Sequence, residues 1–450
     1  MNPAERTFTL LIASTRVARN SLSQLLPPLI PILVVALRYP LWQLGLLVTL
    51  FTLGTGTGQA PVGVIADRYD RRYVLPVGFV VAGASYLLFA VAPHLARLAP
   101  GLAVGPFDAQ FVVMAGAMFL VGVGCSVVHP TVYPMITENV RPAHKGKVLG
   151  IFGSAAKMGG AIVPLVVGLL VLTMGWAGIV AVLGAFGIGY GVALFVVLGR
   201  FETRPASIRA LEDGVRDGSD DRGDATATEH AEAAPDAQPG SDHRAYRYPL
   251  LVIYGFFITR AFAGTGMRTF IPAFIVGVYG YTLGVAGMHL AAESVANFYL
   301  SALLFVGAGT QIALGYVIEG YDARTALIGF MLVATAGILV LAYVPLSPLL
   351  LLAVLFVVGA SIWGLNPARD LLISDITPPD REGRTFGYLW TASSLTGALI
   401  PTLVGYLADV LGLRESFGIL AVGTLLAAGC ISFLYSERVY VPADAASTAD

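Results

Sequence analysis

Six basic side chains lie inside stretches of this chain that are otherwise apolar: Arg16, Arg19, Lys157, Arg260, Arg268 and Arg369. Two acidic ones, Glu293 and Asp370, clearly do the same. A charge at membrane depth costs roughly 3 kcal/mol even on a lenient scale, so such groups face a cavity or one another. Arg16 and Arg268 stand where a long side chain can snorkel towards an interface, and they are set aside. Four basic groups then face two acidic ones. The spacings place polar groups on shared helical faces. Arg16, Arg19, Asn20 and Ser23 follow i, i+3, i+4 and i+7, Glu293 and Asn297 are i and i+4, and Asn366, Arg369 and Asp370 share a face beside Pro367. Lys157 lies about 18 Å into its helix, near midplane, and His129 somewhat nearer the cytoplasm.

The chemistry on offer is anion capture. Arg19 stands twelve residues before Pro31, and Arg260 twelve before Pro272. Two such guanidiniums facing each other across a cavity would hold a carboxylate, phosphonate or phosphate, because the planar fork accepts such oxygens in pairs. Lys157, His129, Asn297, Asn366 and Arg369 complete the candidate substrate-binding set. The bland alternative is that both arginines pair with Glu293, Asp370 or helix carbonyls. Proton coupling needs a group that titrates in a changing environment. Glu293, Asp370 and His129 are the candidates, since desolvation raises a carboxyl pKa and histidine titrates near neutrality. Each could equally be an arginine's permanent partner.

The elements that must position these residues are long and apolar. The 450 residues are 56% hydrophobic and 12% charged, with mean hydropathy +0.77; a soluble domain carries about 25% charge. Twelve runs are long enough to cross a bilayer: 10–37, 42–65, 73–93, 110–136, 147–173, 177–199, 249–278, 286–316, 326–344, 349–374, 385–408 and 415–435. Helices are the expected form, because lipid leaves backbone amides no outside partner. The alternating strands of a barrel are absent.

The second half of the chain repeats the first. Residues 129–168 align without a gap onto 366–405, with matches at Pro130/Pro367, Pro142/Pro379, Gly146/Gly383, Gly150/Gly387, Gly160/Gly397 and Pro164/Pro401. Glycine and proline are residues of backbone geometry, so two copies of one bundle bend and pack at equivalent places. The expected organisation is a six-helix bundle over 1–200, a disordered acidic cytoplasmic linker over 201–246, a second bundle over 247–438 and a cytoplasmic tail over 439–450. The linker holds eleven acids and five arginines and too little apolar surface to fold. Basic residues outside the spans crowd the side that carries both termini, which the positive-inside rule makes cytoplasmic. The start, Met1-Asn2-Pro3-Ala4-Glu5-Arg6, shows no cleavable-signal pattern. Cys125 and Cys430 have no metal spacing, and packing is their expected role.

Gly63-Val64-Ile65-Ala66-Asp67-Arg68-Tyr69-Asp70-Arg71-Arg72-Tyr73-Val74-Leu75 aligns with Gly315 to Leu327, and both copies fall between the second and third helix of their half. This segment resembles the signature loop of the major facilitator superfamily, Gly-x-Leu-Ala-Asp-Arg-x-Gly-Arg-Arg/Lys-x-x-Leu, with Asp70 where glycine is usual. The resemblance covers nearly the whole chain. It implies an all-α membrane protein of twelve helices in two pseudo-symmetric bundles, with a substrate site between them near midplane. Asp67, Arg71, Arg72 and Glu138 at one helix-end cluster, with Glu319, Arg324 and Asp375 at the other, could lock adjacent bundles as a cytoplasmic gate. In the family the loop acid caps a helix of the opposite half and the arginines bridge to an acid of the fourth helix, which is what the resemblance implies for Asp67, Arg71 and Glu138. Arg19 and Arg260 look like the arginine pair with which the superfamily's organophosphate antiporters hold phosphate.

The function expected is a proton-coupled secondary transporter in the plasma membrane, without cofactor, metal or nucleic-acid partner. Family carriers usually work as monomers. No Gly-x-x-x-x-Gly-Lys-Ser/Thr loop occurs, and the intramembrane polar groups include no nucleophile–base set, so an enzyme is disfavoured. An amphipathic drug exporter is a competing reading; against it, Ala155-Ala156 stand where the fifth-helix antiporter motif has Gly-Pro. A non-transporting receptor or scaffold on the same fold is the other.

Overall fold

The computed structural model describes residues 1–204, 247–285, 288–317, 320–377 and 382–436. The first half comprises α1 (Pro3–Ser23), α2 (Leu26–Leu37), α3 (Leu41–Arg68), α4 (Arg71–Leu98), α5 (Ala109–Cys125), α6 (Val128–Asn139), α7 (Pro142–Leu170) and α8 (Trp176–Leu198). The second comprises α9 (Arg247–Phe274), continued by a π turn at Ile275–Tyr279, then a hairpin of β1 (Leu283–Val285) and β2 (Met288–Leu290). There follow α10 (Ala292–Val317), α11 (Ala323–Tyr343), α12 (Pro348–Gly364), α13 (Asn366–Ile376), α14 (Glu382–Leu411) and α15 (Leu413–Ser432). Pairs α1/α2, α5/α6 and α12/α13 are single spans bent at a break, so the helices form twelve crossings, as the hydropathy pattern predicts. Eleven are long and apolar enough to cross a bilayer by composition. The twelfth, α3, is diluted by Gly54-Thr55-Gly56-Thr57-Gly58-Gln59.

The fourth crossing of each half breaks just before the repeated proline. Pro130 and Pro367 lack an N–H, and their rings clash with the carbonyl four residues back. The helix is interrupted at Ser126–Val127 in one half and at Leu365 in the other. Carbonyl oxygens at the breaks are thereby freed for side chains, and the central arginines use them.

Asp70, which departs from the signature loop, caps α4 by accepting from the Arg72 amide at 2.9 Å. Its repeat counterpart Asp322 caps α11 in the same way at 3.0 Å. The first helix starts with a capping box in which Asn2 and Glu5 satisfy each other's amides. Residues 201–203 of the stretch expected as disordered linker are held against the bundle: Phe201 lies 5.3 Å from the Phe8 ring, the Arg71 amide donates to Thr203, and Glu202 exchanges hydrogen bonds with Asn139. Residues 205–246 of that linker and the 439–450 tail lie outside the described residues.

The halves are sealed together at the end away from Met1 and Tyr435. Thr49 of α3 donates to the Ala398 carbonyl at 2.6 Å and lies 2.8 Å from Thr402 of α14. Ser301 of α10 donates to the Ala161 carbonyl of α7 at 2.6 Å, and Asn297 donates to Pro28 of α2 at 3.2 Å. Two glycines make the α3–α14 approach possible: a Cβ at Gly45 would stand 2.2 Å from the Pro401 oxygen, and one at Gly405 2.5 Å from the Leu41 oxygen.

A candidate anion site between the halves

Each half turns the arginine of its first helix onto its own broken fourth helix. Arg19 donates from Nη1 to the Asn20 side chain at 2.9 Å and from Nε to the Cys125 carbonyl at 3.5 Å. Asn20 in turn donates to the Ala156 carbonyl of α7. Arg260 donates through Nη2 to the Ile362 carbonyl at 2.9 Å and to Asn366 Oδ1 at 3.0 Å. Asn366 is steadied by donating to Gln311 and to the Trp363 carbonyl, both at 3.1 Å. The carbonyl contacts of the bland reading are therefore present. Neither guanidinium is exhausted by them, since Arg19 Nη2 and Arg260 Nη1 make no contact in these networks.

Arg16 does not snorkel. The first crossing starts at Pro3, so Arg16 lies well inside it, and its Nη1 is 2.7 Å from His129 Nε2 with its guanidinium 5.0 Å above the Phe152 ring. Arginine can only donate, so His129 Nε2 carries a lone pair there rather than a proton. His129 and Asn366 occupy equivalent places in the repeat, and each holds an arginine of its own half's first helix. Three donors at these arginines and the histidine, Arg16 Nε, His129 Nδ1 and Arg260 Nε, are buried with no hydrogen-bond partner among the described residues.

Arg369 is buried and donates twice to Asp370 Oδ1, at 2.9 and 2.7 Å, while its guanidinium lies 5.3 Å from the Phe257 ring. The Asp370 side chain stays 48% exposed. Lys157 is accessible to solvent and feels the charges of Arg16, Arg260, Arg268 and Arg369. Arg268 lies within electrostatic reach of Arg19. Both residues set aside as snorkelling arginines therefore belong to this neighbourhood.

Two expected members do not. The strands β1 and β2 occupy 283–285 and 288–290, so the eighth crossing starts at Ala292 and Glu293 falls in its first turn, away from midplane. Asn297 is fully buried in the seal against Pro28, and Phe298 and the Asn297 Cβ pack on Gly168.

At the end that carries the termini, Arg71 of α4 donates to Glu138 of α6 at 2.7 Å, with the arginine side chain only 4% exposed. Arg72 donates to the Phe195 carbonyl at 3.3 Å and covers the Phe195 ring at 4.7 Å. In the second half Arg324 pairs with Asp322 at 3.1 Å and donates to the Leu434 carbonyl at 3.2 Å. Burial pushes the Asp322 carboxyl up, but hydrogen bonds from the Arg324 amide and guanidinium outweigh it and hold the group below its ordinary range. Asp67 and Asp375 stand at the ends of α3 and α13, and Glu319 lies outside the described residues. Sequence reasoning passed over Glu5, which is buried and accepts from Arg141 at 2.9 and 3.1 Å, tying α1 to α7; the Asn2-x-x-Glu5 spacing was its signal. It also passed over Asp409 of α14, whose two oxygens accept from the Leu41 and Trp42 amides at 2.9 and 2.8 Å.

Two pseudo-symmetric six-crossing bundles around a polar centre define a multi-pass membrane protein. The chain belongs to the Major Facilitator Superfamily, whose sequence profile matches residues 17–365 and 289–449. It is 27% identical over 166 residues to the membrane sensor protein UhpC of Salmonella typhimurium, a match covering 37% of this chain and 33% of the sensor. It is 26% identical over 155 residues to a probable L-galactonate transporter of Escherichia coli, covering 34% of this chain and 31% of that protein. These matches span about a third of each relative's length. The fold is that of a bacterial homologue of the human lysosomal transporter Spinster in an inward-facing, unoccupied conformation, with TM-score 0.73 and 16% identity over 98% of this chain and 100% of that one.

Proposed function

We propose that the protein is a secondary carrier of small organic anions, held between Arg19 and Arg260. The observation that carries this reading is the charge imbalance of the centre. Arg16, Arg19, Lys157, Arg260, Arg268 and Arg369 gather there, and among the described residues Asp370, already bonded to Arg369, is the carboxylate beside them. Cations at this depth need a counter-charge, and buried donors at Arg16, His129 and Arg260 need acceptors. An anionic substrate supplies both. The relative named as an L-galactonate transporter handles such an anion and supports the reading. A drug exporter for cationic amphiphiles is disfavoured by the same imbalance. Asp370 remains a candidate for coupling protons to this site, its side chain half-exposed and bonded to the buried Arg369. The basic excess at the end that carries the termini supports a cytoplasmic location for both, in a plasma-membrane protein.

The test is the melting temperature of the purified protein against organic anions and neutral or cationic amphiphiles, in wild type, Arg19→Gln and Arg260→Gln. A ligand that binds only the folded state raises it. Stabilisation by an anion, lost in both variants, is expected. Stabilisation by amphiphiles, kept in both variants, would make the arginines structural and end the anion reading. The likeness to a membrane sensor favours one further reading, a receptor that binds the same anion without moving it. Uptake of the stabilising anion into proteoliposomes separates the two.

A further inference from the structure

We propose that His129 takes up the proton that travels with the anion, and that this proton releases Arg16 to grip the same anion beside Arg19. This rests on the anion reading above and adds the site of coupling to it. The first helix sets two arginines, a turn apart on one face, against the broken fourth crossing. Arg19 donates to the Cys125 carbonyl, and Arg16 meets the His129 ring one turn further on. The Arg16–His129 contact, at 2.7 Å, lasts only while Nε2 keeps its lone pair. The repeat shows the alternative. Asn366 stands where His129 aligns, and its Oδ1 holds Arg260 at 3.0 Å. An amide accepts at every pH, whereas an imidazole surrenders its acceptor on protonation. One half therefore has a permanent keeper for its arginine and the other a titratable one.

The surroundings decide when the proton arrives. His129 stacks on Tyr133 at 5.9 Å, Tyr133 meets Phe152 at 5.7 Å, and Phe152 lies under the Arg16 guanidinium. His129 is half-buried and Tyr133 exposed, so water reaches the pair. From α1 the ring faces Arg16 and Arg19, and from α7 Lys157 acts on Arg16. From α3, Gly63 faces Pro130, with Asp67 about one turn nearer the cytoplasm. From α4, Arg71 and Arg72 stand at the helix end, where Arg71 is bonded to Glu138, about 13 Å beyond His129 by the helical rise. Among the described residues Arg16, Arg19 and His129 pair with no carboxylate. In the empty site a proton on Nε2 would set two donors face to face beside uncompensated arginines, an arrangement that a low dielectric penalises. An anion at Arg19 supplies the missing negative charge. The proton then passes from water to the Nε2 lone pair, the hydrogen bond from Arg16 breaks, and Arg16 Nη1 turns to the anion. One negative and one positive charge have entered, so the centre gains no net charge.

The probe is L-galactonate, whose carboxylate stays ionised from about pH 6 to 8. Titration calorimetry on the purified full-length protein, in two buffers of different ionisation heat at each pH, reads both the affinity and the protons taken up per anion bound. Wild type is expected to take up about one proton and to bind at least about tenfold more tightly at the lower pH than at the higher, as linkage requires. His129→Asn installs the acceptor that the other half uses, so Arg16 stays held. That variant should take up no proton and bind with nearly the same affinity at both pH values, and His129→Gln should do likewise. Protons are counted per anion bound, so partial loss of folded protein cancels. A wild type that binds without taking up a proton, or Asn and Gln variants that still take one up, overturns the proposal and leaves the anion reading standing. Uptake lost in Asp370→Asn but kept in His129→Asn moves the proton to Asp370 and overturns it too. Absence of binding, or binding untouched by Arg19→Gln and Arg260→Gln, overturns the anion reading and this proposal with it.

Discussion

Arg71 and Glu138 form the most completely buried charge pair described at the end bearing the termini, at 2.7 Å with side chains 4% and 13% exposed. Removing one partner strands the other without water. Glu138→Gln should therefore cost about 3 kcal/mol, at the low end for a broken buried pair, read as a fall in melting temperature. Arg71→Met combined with Glu138→Leu should recover much of that loss; a double variant no better than the single would show that the pair's packing, not its charge, matters. Asp322 offers a pH-dependent case. Its folded pKa lies below the ordinary carboxylate value, so its contribution is complete above about pH 4 and fades as pH falls through the lowered value. Asp322→Ala should cost about 1 kcal/mol as a lost helix cap, and its gap from wild type should narrow in acid; a gap that holds constant down to pH 3 would contradict the carboxylate's role. The residues of this site were legible in proportion to how local their signal was. Arg19, Arg260 and Asn366 stood out through the repeat, and Arg369 with Asp370 through adjacency. Arg16 was misplaced because its helix starts at Pro3 rather than residue 10, which moves it from an interface into the interior.

Among the elements, the broken fourth crossing was written in Pro130 and Pro367, and the twelve helices in hydropathy. The paired strands β1 and β2 were not, because Val285, Met288 and Leu290 continue the apolar pattern of the helix that follows. That error carried Glu293 towards midplane. The seal between α3 and α14 was equally hidden, since a close approach needs only small residues and gives no polarity signal. Gly45 and Gly405 are its determinants: at each, a methyl group would overlap backbone of the opposing helix. Gly45→Ala and Gly405→Ala should separate α3 from α14 and raise the labelling rate of a cysteine at Thr402 by a membrane-impermeant maleimide added outside, in a background lacking Cys125 and Cys430. The expected rise is about tenfold or more, since overpacking a tight contact costs about 1–3 kcal/mol. Equal labelling in wild type and both variants would mean that the helices part freely and the glycines set no gate.

For the whole molecule, transport requires two states whose energies lie close, so each seal must be firm yet breakable. At the sealed end Asp409 meets that demand. Its carboxylate belongs to the second half and caps the first turn of α3 in the first half, accepting two amides that have no partner within their own helix. A negative charge at a helix N-terminus also gains from the helix dipole. The contact exists only while that end is closed, so its energy enters the balance between states directly. Asp409→Asn keeps the shape and removes the charge, and should shift the balance towards the open form by about 1 kcal/mol, near fivefold in population. Spin-label distances between positions 45–49 and 398–402, measured by pulsed electron resonance, read that population, because the closed state holds those segments in contact. The fraction at long distance should rise in Asp409→Asn over wild type under the same ligand conditions. A distance distribution identical to wild type would mean that Thr49, Ser301 and Asn297 hold the seal without the carboxylate, and that Asp409 merely caps a helix.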